Sequence, residues 1–131
     1  MSPLKYQPVK HRTRESILKS LESGDTNEIH EALESAAYWD EDWRWAQTQL
    51  LRFSRHDSET VLWAVALGFT FLAVFHGNID ESLVLPVLAQ MKERRPSLRG
   101  VVEEAEADID HFVRKRREGA DIELARRLPP E

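Results

Sequence analysis

Cysteine is absent from the 131 residues. Disulfides and thiolate metal sites are therefore excluded, and no thiol can serve as a nucleophile. Glycine is scarce, five residues scattered at 24, 68, 77, 100 and 119. None builds a phosphate-cradling loop, and each is expected at a helix end or a close packing point. HExxH and GxSxG are missing as well. No segment alternates apolar and polar residues with a period of two, so no strand is expected. The opening MSPLKYQPVKHRTRES has no apolar core of the kind a signal peptide needs. A cytoplasmic, reducing environment is the expectation.

The longest absence is of charge. Residues 60–75, TVLWAVALGFTFLAVF, carry none, and the uncharged run extends between Glu59 and Asp80. A membrane span needs roughly 20 apolar residues; this run falls short and is closed by His76, Gly77 and Asn78. A helix apolar on every side must be wrapped by others. Residues 60–75 are therefore expected to form the central helix of an all-α domain. Gly68 at its centre costs helix stability unless a neighbouring helix approaches closely there.

About six helices emerge from the periodicity and caps. Residues 1–12, with Pro3 and Pro8, read as an extended arm. A short helix at 13–22 presents Ile17, Leu18 and Leu21. After Gly24, Asp25 or Thr26 caps a second helix bearing Ile29, Leu33, Ala36 and Ala37. A third, at 41–55, is expected to bury Trp43, Ala46, Leu50 and Phe53. His56, Asp57 and Ser58 form a turn and cap before the central helix. Asp80 caps a fifth helix, kinked or delayed by Pro86. Ser97 caps a sixth, 98–117, with Val101, Val102, Ala105, Ile109, Phe112 and Val113 inward. Residues 118–131 read as a tail in which Ile122, Leu124 and Leu128 form one docked turn. Loops this short make consecutive helices antiparallel neighbours within one domain, 13–117.

Charge is unevenly placed although the net is only −5, a balance that argues against a generic nucleic-acid binder. Residues 20–43 hold no Lys or Arg and eight acids, Glu22, Asp25, Glu28, Glu31, Glu34, Asp40, Glu41 and Asp42. A second acidic group spans Glu103 to Asp110. Arg114, Lys115, Arg116 and Arg117 then suit a helix C-terminus. The segment YWDEDWRW at 38–45 sets three of the four Trp around three consecutive acids. Aromatic residues are enriched at interface hot spots, and complementary charge speeds encounter and fixes register.

Candidates for chemistry are thin. His30 with Glu34, and Asp108 with His111, have spacings that place two ligands on one helix face. The paired Glu-x-x-His motifs of a carboxylate-bridged metal are absent, however. His56, Asp57 and Ser58 lie together but read as a turn, and His56 and His76 suit helix ends. No cofactor and no catalytic residue is expected.

One resemblance follows from particular residues. Leu85-Pro86-Val87-Leu88, then Pro96-Ser97-Leu98-Arg99, then Ala105 and Ile109 resemble a HEAT-type helical repeat. The segment DEDWRWAQTQLLRFS resembles the opening of its second helix. Trp45-Ala46 and Trp63-Ala64 form a faint internal repeat. The resemblance covers about residues 26–114 and implies an α–α superhelix; the uncharged helix departs from it and leaves a compact bundle as the alternative. Small acidic bacterial proteins of this kind resemble immunity or antitoxin proteins. That resemblance implies a non-enzymatic domain neutralising a basic toxin, such as a nuclease; the acidic, aromatic-rich segment is expected to make the contact through Glu28, Glu31, Glu34, Trp39, Asp40, Glu41 and Asp42. The alternative expectation is a nucleic-acid module using the arm and Arg114, Lys115, Arg116 and Arg117. Self-association through the Trp-rich corner stays open at this level.

Overall fold

The computed structural model describes residues 9–127, and among these all regular structure is helical. The helices are α1 (Arg14–Leu21), α2 (Thr26–Trp39), α3 (Trp43–Arg52), α4 (Glu59–Phe71), α5 (Glu81–Arg94), α6 (Arg99–Asp108) and α7 (Lys115–Arg127). A π-helical turn, Leu72–His76, prolongs α4, and another, Ile109–Arg114, joins α6 to α7 without a break. With α6 through α7 as one rod, the helices number six. That last rod is longer than expected: residues 118–127 are helical, and Ile122 is exposed in place of docking. Residues 1–8 of the expected arm, and Leu128 with the Pro pair after it, lie outside the described residues.

Local chemistry explains the helix starts. Thr13 accepts from the Ser16 N–H, Asp25 from Asn27 and Glu28, Asp42 from Arg44 and Trp45, and Ser58 from Val61. Each satisfies donors that a helix N-terminus leaves without partners. Two expected caps act otherwise. Asp80 takes the Ser82 hydroxyl, not a backbone N–H. Ser97 lies in a 3-10 turn, Pro96–Leu98, and donates to Glu59, so α6 begins at Arg99. Pro86 does not delay α5, which runs from Glu81 through it; the Ser82 carbonyl it leaves without a helical donor belongs to an exposed residue.

The helices form two layers. His30 meets the Thr60 carbonyl at the starts of α2 and α4, and His76 meets the Ala37 carbonyl at their ends. The two therefore run parallel. Ser97 on Glu59 and Arg95 on the Asp57 carbonyl likewise join the starts of α4 and α6. So α2, α4 and α6 lie side by side in one direction, an even layer. Arg14 beside Asp42 and Trp45, and Arg52 on Glu22, align α1 with α3, and the Asp80 N–H on Gln47 brings in α5. These make an odd layer running the other way.

The core lies between the layers, with Phe69, Leu33, Leu50, Leu62, Leu72 and Leu88 fully buried. Gly68 marks a close approach of the two: a Cβ there would collide with the Leu50 methyls, so glycine alone fits without a shift of a buried side chain. Gly77 closes the α4 rod at φ 64°, which favours glycine, and Arg116 covers it. Gly119 fits neither expected role, being inside α7 with open space around it. In α3, Trp43 and Phe53 are half-buried and not core. The buried neighbours of Ala46 and Leu50 are Gln47 and Gln49, which hydrogen bonds make tolerable inside.

The central helix is wrapped on three sides, not four. Trp63 is 44% and Phe75 55% exposed, and Leu67, Thr70, Phe71 and Val74 are half-buried. A helix inside a two-layer stack has neighbours on both flanks and beneath, and its outer face stays open. Glu59–His76 is long and apolar enough to cross a membrane by length and composition, with 56% of the span buried in the fold.

Candidate functional site

The acidic run divides between two places. Its first part is covered by residues 9–14. Arg12 donates to Glu31 at 2.8 Å and to Ser20 at 3.0 Å, with Glu28 3.6 Å away, while its backbone N–H reaches Ser35. Arg14 grips Asp40 through two bonds of 2.8 and 2.9 Å and lies 3.6 Å from Asp42. That guanidinium, with the Asp42 N–H, holds the Asp40 carboxyl below its ordinary range. Asp42 also caps α3. Four of the seven expected contact residues, Glu28, Glu31, Asp40 and Asp42, are thus engaged by the protein's own arginines. Spacing in the sequence does not pair Arg12 with acids this far along the chain.

The other three differ. Glu41 is exposed with no ion pair among the described residues. Trp39 donates its indole N–H to the Val9 carbonyl at 2.6 Å yet stays 43% exposed. Glu34 bonds His30 Nε2, and His30 Nδ1 faces the Thr60 carbonyl at 3.3 Å. With acceptors at both nitrogens the imidazolium is favoured and the His30 pKa is raised, chiefly by Glu34. Both ring nitrogens are thus taken up by acceptors of the fold itself. Among the described residues no three His, Asp or Glu converge to hold a metal. His56 accepts the Ser58 N–H while Ser58 caps α4, so both act in the turn.

Rings link this edge to the outer face of α4. The His11, Trp39, Tyr38, Phe71 and Phe75 rings form a chain with successive centroids 5.6, 5.0, 5.5 and 5.7 Å apart, and Tyr38 also meets Phe75 at 4.8 Å. From Phe71 the apolar surface runs back along α4 through Val74, Thr70 and Leu67 to Trp63. The Thr70 hydroxyl, buried there, has no hydrogen-bond partner among the described residues.

Helical phase places acids on both flanks of this stripe. His30, Glu34 and Tyr38 follow one another at i, i+4, i+8 on the α4 side of α2. On α6, Lys92 of α5 meets Glu103 and Glu106; Glu104 and Asp108 emerge on the opposite side, toward α4. Asp108 is partly desolvated and lies near Glu104, and both effects raise its pKa. Neither acid has an ion pair among the described residues. Helical phase thus sets Glu34 of α2 and Glu104 and Asp108 of α6 along the two flanks of the stripe, while Glu28 and Glu31 turn to Arg12.

The sequence held a signal for this face that hydrophobicity alone obscured. Lys and Arg are missing from residues 20–43, 56–91 and 100–113, so α2 and α4 contain none and α6 only Arg99 at its start. The basic residues after α6 are partly engaged: Arg114 and Arg117 both pair with Glu81. A separate cleft of about 360 Å³ lies at the ends of α3 and α5, lined by Arg55, Gln90, Glu93 and Arg94. It brings together no acid–base or nucleophilic pair. Comparison with protein-family models, with curated proteins and with solved structures finds no match.

Proposed function

We propose that this protein is a non-enzymatic, cytoplasmic protein-binding domain whose partner is basic, and that it works as immunity or antitoxin proteins do, by covering a positively charged surface such as a nuclease active site. The observation that carries the reading is the coincidence of two properties on one face. Between the layer's ends α2 and α4 carry no Lys or Arg and α6 only Arg99, and the face exposes Trp63 and Phe75 with Glu104 and Asp108, which have no ion pair among the described residues, on its α6 flank. Exposed apolar patches rimmed by polar groups mark interaction sites, and charge of one sign selects the partner's sign. The parallel run of α2, α4 and α6 supports the helical-repeat resemblance. Trp39 and Glu41 lie at the edge of this face; Glu28, Glu31, Asp40 and Asp42 hold the arm that borders it.

The nucleic-acid alternative draws no support from the arrangement. Arg12 and Arg14 are paired beside α2, Arg114 and Arg117 beside α5, at opposite edges of the fold.

Affinity capture from the native host at low salt tests the reading, with wild type and Trp63→Asp side by side. One basic protein retained by the wild type, released by salt and lost in the variant is the expected result. Nucleic acid recovered equally by both, or no protein whose retention depends on Trp63, overturns it. Reversing Asp40 and Asp42 to Lys would be a poor probe, because it would also break the Arg14 pairing and the α3 cap.

A further inference from the structure

We infer that the outer stripe of α4 receives a short amphipathic helix whose apolar ridge is flanked on both sides by Lys or Arg. The inference rests on the basic-partner reading and specifies the form of the segment that docks.

The spacing of the stripe sets the shape. Trp63, Leu67, Thr70 and Val74 lie at i, i+4, i+7 and i+11, one ridge of a helix, which packs into the groove of another helix. At about 1.5 Å per residue the ridge is about 17 Å long, or about three turns. The chemistry of the stripe then decides between an extended and a helical segment. Its side chains are apolar apart from Thr70, and the α4 backbone is committed to its own hydrogen bonds. A segment buried against it finds almost no donors or acceptors, so its own N–H and C=O groups must be satisfied internally. A helix does this; an extended peptide does not.

The rims set the charge. Glu34, one of whose oxygens is held by His30, stands on the α2 side, and Glu104 and Asp108, without ion pairs among the described residues, on the α6 side; no Lys or Arg of α2 or α4 competes for them. Cations on both flanks of the docked helix meet both rims. The partly desolvated Asp108, beside Glu104, gains most from such a cation. The same charges count against two other occupants. A second copy presenting this face would set acid against acid, and an anionic membrane surface would be repelled.

The test is a ¹H–¹⁵N NMR titration of the full chain with a helical peptide of about three turns, leucines along one face and lysines on both flanks. A counterpart with glutamate for lysine serves as control. The Leu/Lys peptide is expected to shift the Trp63 indole and the Leu67 and Val74 amides, with affinity falling as salt rises. Leu67→Asp abolishes these shifts. Glu104→Lys with Asp108→Lys, surface changes that leave the folded spectrum intact, weaken binding about tenfold, the equivalent of two modest charge pairs. Glu93→Lys on α5 leaves it unchanged. Shifts confined to Trp39 and Glu41 would overturn the inference and leave the basic-partner reading standing. Equal binding of the Leu/Glu peptide would overturn both. Absence of binding, binding indifferent to Leu67→Asp, or self-association through Trp63 before any peptide is added would each overturn the inference.

Discussion

The odd and even layers are built from the same helices-in-a-row geometry and handle their exposed aromatics differently. In the odd layer Trp43 and Trp45 are half-buried and covered by cations, with Arg44 and Arg14 each 4.5 Å from a ring centroid. The acids near them are paired too, Asp40 and Asp42 with Arg14 and Glu22 with Arg52. In the even layer Trp63 and Phe75 stand in the open, and no cation covers them among the described residues. An aromatic ring under an arginine has already found its cation–π partner. A ring left bare between carboxylates has not. The difference separates a surface whose rings and acids are paired within the chain from one whose rings stay bare among the described residues.

The sharpest contrast within one helix sets Phe69 against Leu67. Phe69 lies fully buried between the layers and Leu67 faces out. Phe69→Ala is expected to cost about 3–5 kcal/mol through transfer and cavity. Leu67→Ala is expected to cost only about 1 kcal/mol, because part of that side chain already meets water and no closed cavity is left behind. Urea unfolding of both variants checks this, and equal losses would mean that the even layer is covered where it is described as open.

Two losses at the odd-layer edge are of similar or smaller size. Arg12→Ala removes bonds to Ser20 and Glu31 and is expected to cost about 1 kcal/mol after allowing for exposure. Asp42→Ala removes the cap of α3 and is expected to cost about 1 kcal/mol. Thermal melts read both. A wild-type melting point in either variant would mean that the arm or the cap is ornamental, and would return those acids to the list of partner contacts.

The smallest effect is one of pH. The His30 pKa is raised above its ordinary 6.5, so its contribution to stability is complete below that value and is lost as pH rises through the raised one. Asp40 is the mirror image: lowered from 3.8, it stabilises above that value and loses its effect as pH falls through the lowered one. Wild type compared with His30→Gln should therefore converge in stability on the alkaline side and separate below 6.5. Parallel curves across that range would show that the His30–Glu34 pair adds nothing to stability.

The all-α class, the helix order and the helical fate of the uncharged run are legible in the sequence because caps and apolar spacing are local. Gly68 is legible for the same reason: a glycine inside a strong helix asks for a close neighbour, and Leu50 is that neighbour. What spacing does not reveal is which acids are already paired. Arg12 and Arg14 reach Glu31 and Asp40 across 19 and 26 residues, and no local pattern encodes that contact. The open face of α4 is hidden from the sequence because uniform apolarity carries no direction; the two-layer arrangement supplies it. The cation-free intervals are visible in the sequence throughout, and they mark the face better than the density of acids does.

Hydroxyl-radical footprinting of the protein alone and with a basic protein retained on it at low salt decides whether the even layer is the surface that binds. Trp63 and Phe75 are expected to be oxidised readily in the free protein and protected in the complex, while Trp43 and Trp45 change little. Protection confined to Trp39, Trp43 and Trp45, or a Trp63 that resists labelling in the free protein, would contradict that assignment.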